Sequence, residues 1–262
     1  VVLTVVGVNS TSVSQSTATG DGIPKFFAVG TDYGGGPVVS LNFTNGHNIM
    51  FYAYNSNYRG GVRVALGDVN GDGYDDLVTG TGIGGGPHIK VWDIRGVSAG
   101  GIPVEMSSFF AFEPNFMGGT NLATGDVNND GLADIIVGAG MGGGPRVKVL
   151  AGAGNFVINP NYSLMDFFAY NPAFTGGVQV AAGDRDGDAV ADVITAAGYG
   201  GGPNIRSFNA ASLMIDNFFA FSPTITTGIF VAAGNVDNDG IADIIAGTGF
   251  GTTTQIAAFY ST

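Results

Sequence analysis

The chain contains no cysteine, a single tryptophan and only two histidines. Without cysteine there is no disulfide framework, so an all-β chain working outside the cell needs another staple, and a bound metal is the obvious one. His47 and His88 stand in no nucleophile or metal-hydrolase motif, which leaves catalysis without support from sequence. Only nine Lys and Arg are present, and they do not cluster, which excludes nucleic acid as a partner. No apolar run approaches the roughly 18 residues that would cross a bilayer, so no membrane span is expected. The segment Val1 to Val6 lacks the basic flank of a signal peptide, and the chain is read as a mature, processed domain. No window carries an apolar stripe long enough for a helix of about ten residues, and 46 glycines would penalise one heavily.

What is present is repetition. Acidic turns begin at Asp68, Asp126, Asp184 and Asn235, at intervals of 58, 58 and 51 residues. A fixed period of this kind signals stacked supersecondary units. Around each turn, apolar runs of four to seven residues rich in Val, Ile and Phe are punctuated by Gly, Pro, Asn and Asp. That is the signature of short strands joined by turns, four to a repeat. Gly-Gly-Gly-Pro segments end at Pro37, Pro87, Pro145 and Pro203, and a degenerate fifth copy runs from Gly251 to Thr254. Five third strands follow from this count, so the expected fold is an all-β, five-bladed β-propeller with four-stranded blades. Hydrophobic residues make up 45% and charged ones 11% of 262 residues, enough to bury a large core in one domain.

The expected blades are about 10–61, 62–119, 120–177, 178–228 and 229–262. The last copy stops after its third strand, and the segment Val2 to Val8 aligns with the fourth-strand segment Ser107 to Phe112. The sequence therefore predicts that residues 1–9 complete the last blade and close the ring, removing an open edge.

The turns point to metal. In the first copy Asp68, Asn70, Asp72 and Asp76 place side-chain oxygens at positions 1, 3, 5 and 9, and Tyr74 at position 7 offers its carbonyl. The other copies keep the set: Asp126, Asn128, Asp130, Leu132 and Asp134; Asp184, Asp186, Asp188, Val190 and Asp192; Asn235, Asp237, Asp239, Ile241 and Asp243. Hard cations such as Ca2+ take six to eight oxygens, and a tight loop delivers alternate side chains to one point. Magnesium, which holds on to several waters, suits the set less. So many carboxylates in nine residues repel one another unless a cation neutralises them, whereas ordinary Asp/Asn/Gly hairpin turns need no such number. Up to four Ca2+ are expected, with weaker binding where Ala189 replaces the position-6 glycine and where Asn235 removes a charge. The stretch Gly20 to Lys25 is too short and carries Lys25 in place of the last carboxylate, so the first blade should bind none.

The Asp-x-Asn-x-Asp-Gly-x-x-Asp turn between strands, with its neighbouring Phe and Gly-Gly segments, resembles the FG-GAP repeats of integrin α-subunit propellers and the bacterial VCBS-type repeats. The resemblance covers nearly the whole chain and implies calcium in the blade turns together with adhesion or ligand recognition; related fungal lectins bind sugars between blades. The chain departs from the integrin pattern in having five repeats rather than seven. The role expected from sequence is a secreted or cell-surface recognition or adhesion module that is not an enzyme, with a glycan or protein surface as partner and self-assembly as a further one. Its alternatives are a structural subunit of a filament or surface layer and a propeller-scaffold polysaccharide lyase or hydrolase.

Three other motifs complete the reading. The Gly-Gly-Gly-Pro segments lack the Lys-Ser/Thr and helix start of a phosphate loop and are read as close backbone approach. Paired aromatics at Phe51, Phe109, Phe167 and Phe218 and the residues after them are read as packing between blades. Tyr58, Phe116 and Phe174, just before Gly-Gly pairs, suit either packing or stacking on a sugar face.

Overall fold

A computed structural model describes residues 10–15, 26–154 and 158–261. Five antiparallel sheets follow one another, each a simple meander. The first comprises β1 (Ser10–Gln15), β2 (Phe26–Thr31), β3 (Val38–Phe43) and β4 (Asn48–Tyr52); the second β5 (Val62–Gly67), β6 (Asp76–Thr81), β7 (His88–Asp93) and β8 (Val104–Phe110). The third holds β9 (Thr120–Gly125), β10 (Asp134–Ala139), β11 (Arg146–Leu150) and β12 (Met165–Phe168). The fourth holds β13 (Val178–Gly183), β14 (Asp192–Ala197), β15 (Asn204–Phe208) and β16 (Met214–Phe219), and the fifth β17 (Ile229–Gly234), β18 (Asp243–Thr248) and β19 (Ile256–Phe259). The one helical element among the described residues is a 3-10 turn at Val97–Ala99. First strands neighbour one another in order, β1 to β5 to β9 to β13 to β17, as inner strands of propeller blades do.

Burial explains the sequence pattern. β6, β10 and β14 are buried at every position because sheets cover both of their faces, which is why they read as continuous apolar runs rather than alternating ones. Side chains such as Ile135, Ile136 and Ile194 are wholly inaccessible, each contributing about 1.5–3 kcal/mol by burial. Gly138 in β10 is required by closeness: a Cβ there would lie 2.5 Å from the Val178 carbonyl oxygen of the next blade. Buried tyrosines tie blades together. The Tyr170 hydroxyl lies 3.1 Å from the Thr195 and 2.9 Å from the Asn204 carbonyl oxygens of the following blade, and burial pushes its pKa up. Tyr54 repeats the arrangement on the Thr79 and His88 carbonyls, each at 2.9 Å. Replacing Tyr170 by Phe leaves those acceptors short of a donor and is expected to cost about 1–2 kcal/mol in chemical denaturation; an unchanged midpoint would show the hydroxyl to be idle.

The structure resolves the aromatic motifs differently from the sequence in one respect. Phe51, Phe167 and Phe218 pack across blades on Trp92, Phe208 and Phe259, with ring centroids 5.1, 4.7 and 4.8 Å apart. Their sequence neighbours Tyr52, Phe168 and Phe219 point the other way and are half exposed, because successive side chains on a strand alternate faces. The proposed closing strand, residues 1–9, and the shortened turn, residues 20–25, lie outside the described residues.

Candidate metal centres

Each acidic turn joins the first strand of a blade to the second. The position-1 side chain folds it by accepting backbone N–H groups: Asp68 Oδ1 accepts from Gly71 and Asp72 at 2.6 and 3.1 Å, and its Oδ2 from Gly73 at 2.8 Å. Asp126 accepts from Asp130 and Gly131, and Asp184 from Gly187 and Ala189. Asn235, with one side-chain oxygen, accepts from Asn238 and Asp239. Positions 3 and 5 make nested turns of their own. Asn70 and Asp72 accept from the N–H of Asp72 and Tyr74, and the same pattern holds for Asn128 and Asp130 with Asp130 and Leu132. It recurs for Asp186 and Asp188 with Asp188 and Val190, and for Asp237 and Asp239 with Asp239 and Ile241.

The backbone has positive φ at two places, not one. Position 6 is Gly73, Gly131 or Gly240 at φ 85°, 85° and 99°, and Ala189 at 68°. Position 4 is Gly71, Asn129, Gly187 or Asn238 at φ 77°, 58°, 80° and 69°. Only Gly and Asn adopt this region cheaply, so Ala189 is the strained member.

Position 9 anchors the turn to the core. Asp76, Asp134, Asp192 and Asp243 are buried at the starts of β6, β10, β14 and β18. Each offers Oδ2 to the N–H of position 2, which is Val69, Val127, Arg185 or Val236, at 3.2, 2.8, 2.7 and 2.7 Å. Burial, followed by the charge of Asp72, pushes Asp76 up to about 8. Burial likewise raises Asp134 to about 6 against the opposing N–H bonds from Gly152 and Val127. Asp192 rises to about 7, again chiefly through burial, and the Asp186, Asp188 and Asp184 charges add to it. Carboxylates driven this far are short of positive charge.

The donor set fits a hard cation. It is all oxygen, and carboxylate oxygens of Asp184, Asp186 and Asp188 lie within 4.8 Å of one another. The first turn has a competitor from the protein itself: Arg95 stands 3.1 Å from Asp72 Oδ2, which is buried and makes no hydrogen bond, and 2.6 Å from Asp93 Oδ2. The Arg95 contact to Asp72 is thus an ion pair without hydrogen-bond geometry. In the last turn the Ser261 hydroxyl donates to Asp239 Oδ2 at 2.8 Å.

Successive turns are also linked. The N–H of Ala133 donates to the Asp68 carbonyl at 2.8 Å, Ala191 to Asp126 at 2.8 Å, and Ala242 to Asp184 at 2.7 Å. Position 8 of one turn therefore holds position 1 of the turn before it. Sequence reasoning missed this link because both partners are backbone groups in different repeats; position 4 was legible, since every copy has Gly or Asn there.

At the other end of the inner strands lies a mouth of about 250 Å3. Its wall carries one side chain from each of the second to fifth blades at a single register position: Arg63, Asn121, Gln179 and Phe230. Its rim carries Ile83, Met141, Tyr199 and Phe250, from the turns between second and third strands, and Tyr33 occupies that position in the first blade. All five rim side chains are exposed, Phe250 to 96%. Hydrogen bonds pin these turns: Gly84 N–H donates to Met117, Gly142 to Thr175 and Gly200 to Thr226, each at 2.8 Å. Phe116 and Phe174 are engaged beneath the rim, lying over Gly118 and Gly143, and over Gly176 and Gly201, while the Tyr58 hydroxyl donates to the Gly82 carbonyl at 2.7 Å. Of the two uses open to these rings, packing is the one the structure exhibits.

The architecture and its turns define a β-propeller of short acidic-turn repeats. The FG-GAP repeat model matches residues 60–92 and 118–158, so these two stretches carry FG-GAP repeats and the chain is consistent with a repeat protein of that type. No curated protein sequence matches it. Among solved structures it is similar to the exotype rhamnogalacturonan lyase YesX, at 12% identity and TM-score 0.53, covering 97% of this chain and 56% of that one. It is also similar to virginiamycin B lyase from Staphylococcus aureus, at 14% identity and TM-score 0.53, covering 96% of this chain and 72% of that one. These likenesses are of fold. They overturn the expectation that the chain is not an enzyme, because propellers of this shape include lyases. That expectation rested on unbroken repeat symmetry, and the symmetry is broken at the mouth, where Arg63, Asn121, Gln179 and Phe230 share one position.

Proposed function

We propose that the chain is an extracellular, calcium-stabilised propeller that recognises a carbohydrate or protein surface with the face around its mouth. The carrying observation is the rim. Large apolar side chains stand exposed at the same position in all five blades, and four of them, Ile83, Met141, Tyr199 and Phe250, line a wall with one guanidinium and two amides. Isolated exposed apolar residues need no explanation, but a contiguous set around a concavity marks an interaction site. Tyr33, Tyr199 and Phe250 offer faces for stacking and Gln179 offers an amide, while Arg63 is paired with Asp32 and the Asn121 amide donates to the Val178 carbonyl oxygen. The acidic turns lie at the far end of the strands, so calcium serves to hold the blades rather than to touch the ligand. Calcium sites of extracellular modules bind in the range of about 10⁻⁴–10⁻³ M, which suits short loops of this kind.

Screening on glycan arrays and immobilised matrix proteins tests the reading. Tyr199→Ala with Phe250→Ala is expected to lower binding at least about tenfold, the loss of about 1.4 kcal/mol, without moving the melting temperature. Silence across both screens, or binding indifferent to the double substitution, would remove the mouth as the site.

A further inference from the structure

Three grooves between consecutive blades hold a cation at one register position, and the chain surrounds it differently in each. Lys90 in β7, Lys148 in β11 and Arg206 in β15 are equivalent. All three lean on the blade before their own: Lys90 Nζ lies 5.5 Å from the Tyr54 ring centre, and Lys148 Nζ donates to the Ala111 carbonyl at 3.3 Å. Arg206 Nη1 donates to the equivalent Ala169 carbonyl at 2.8 Å, with the guanidinium 4.9 Å from the Tyr170 ring centre. The first two cations meet carboxylates of the chain itself. Lys90 Nζ donates to Glu105 Oε2 at 2.7 Å. Lys148 faces Asp166 across β11 and β12, and Arg146 clasps Asp166 at 2.8 Å and Glu113 at 3.0 Å. The Arg146 hydrogen bonds, with the Lys148 charge behind them, hold the Asp166 carboxyl below its usual range. Between the third and fourth blades both carboxylates are gone, because Asn217 stands where Asp166 does and Asn171 where Glu113 does. Arg206 remains, and among the described residues no carboxylate pairs with it.

We propose that the groove between the third and fourth blades is a binding site for a small organic carboxylate. The groove opens to about 420 Å3 and shares no lining residue with the mouth, so the inference goes beyond recognition there. Arg206 stands opposite Asn217, and Asn204 opposite Phe219, which sets all four side chains on one face of the β15–β16 pair. The donors are already aimed. Arg206 Nε donates to Asn204 Oδ1 at 3.2 Å and Nη1 to the Ala169 carbonyl, which leaves Nη2 without a partner among the described residues. Asn204 Nδ2 donates to Asn217 Oδ1 at 3.0 Å, so the Asn217 amide nitrogen is left to donate. A carboxylate between Nη2 and that amide receives one charge-assisted hydrogen bond and one neutral one, at the position where the fold sets Asp166 one blade earlier. Phe219, 55% exposed, gives the carbon body of the acid an apolar wall. With a net charge of −12 the chain repels free anions in general, so the local donors select the acid.

Titration of the isotope-labelled chain in calcium buffer, followed by NMR, tests the proposal with three probes: methyl glucuronide, its neutral counterpart methyl glucoside, and isobutyrate. The glucuronide is expected to shift the signals of Gly201, Gly202 and the Asn217 amide, and to bind at least about tenfold more tightly than the glucoside. Isobutyrate separates the two sources of the carboxylate. Weaker binding than the glucuronide assigns the carbon body to a sugar acid, and equal binding assigns recognition to the carboxylate alone. Asn217→Asp restores the carboxylate of the preceding groove at an exposed position, and is expected to weaken both acids at least about tenfold while the circular-dichroism melt stays in place. Should that melt move, Asn171→Glu restores the other carboxylate in its stead. Silence with both acids, equal binding of glucuronide and glucoside, or binding indifferent to the restored carboxylate would overturn the site. Shifts confined to Tyr199 and Phe250 would move the acid to the mouth and overturn it as well.

Discussion

Chelation with EDTA is expected to lower the melting temperature of the purified chain, and millimolar Ca2+ to restore it. A ligand that binds only the folded state stabilises it by about 2.7 kcal/mol per site at a hundred times its dissociation constant. One such site shifts the melting point of a chain this size by roughly 5–10 °C. The turns supply a reason for the effect to exceed that of one site. They place Asp184, Asp186 and Asp188 within 4.8 Å of one another, and they drive Asp76, Asp134 and Asp192 well above the usual carboxylate range. Without a cation the folded chain carries the cost of burying these carboxylates and, to a smaller extent, of their mutual repulsion, and the unfolded chain escapes both. The links from Ala133 to Asp68, Ala191 to Asp126 and Ala242 to Asp184 pass the order of one turn to the next. Melting that ignores both EDTA and calcium would refute a stabilising metal.

Asp134→Ala is expected to be among the most damaging single substitutions, costing on the order of 2–5 kcal/mol in denaturant titration. The carboxylate is wholly buried, accepts the Val127 N–H at 2.8 Å and the Gly152 N–H at 3.0 Å, and opens β10. Alanine leaves both donors unpaired, and removes a proposed metal ligand as well. Asp134→Asn separates the two roles, since it keeps one acceptor oxygen but loses the charge. Its stability without calcium is expected to lie between those of wild type and alanine, while its gain on adding calcium falls. Asp237→Ala should cost less than Asp130→Ala, because the last turn already carries Asn235 in place of an aspartate. An Asp134→Ala chain that unfolds at the wild-type midpoint would show the hydrogen bonds to be dispensable.

How much of this was legible in the chain follows from what is local. The turns repeat every 50 to 60 residues, and their ligand spacing lies within nine residues, so both could be read directly. The left-handed glycine at position 6 and the buried runs beginning at Asp76, Asp134 and Asp192 belong to the same short range. What was missed joins residues distant in sequence. Arg95 reaches Asp72 from the far side of β7, and Ala133 reaches Asp68 across a blade boundary. The mouth was overlooked for another reason: attention to what repeats hides the position where Arg63, Asn121, Gln179 and Phe230 differ. That oversight is also what made the absence of catalysis look secure.

The proposition that cations in acidic turns hold the blades together is tested most directly by counting them. Elemental analysis of the chain at equilibrium with several millimolar calcium, set against the surrounding dialysate, is expected to find an excess of up to four calcium ions per chain, falling by one in Asp184→Asn. No excess of calcium over the dialysate in folded protein would contradict the account.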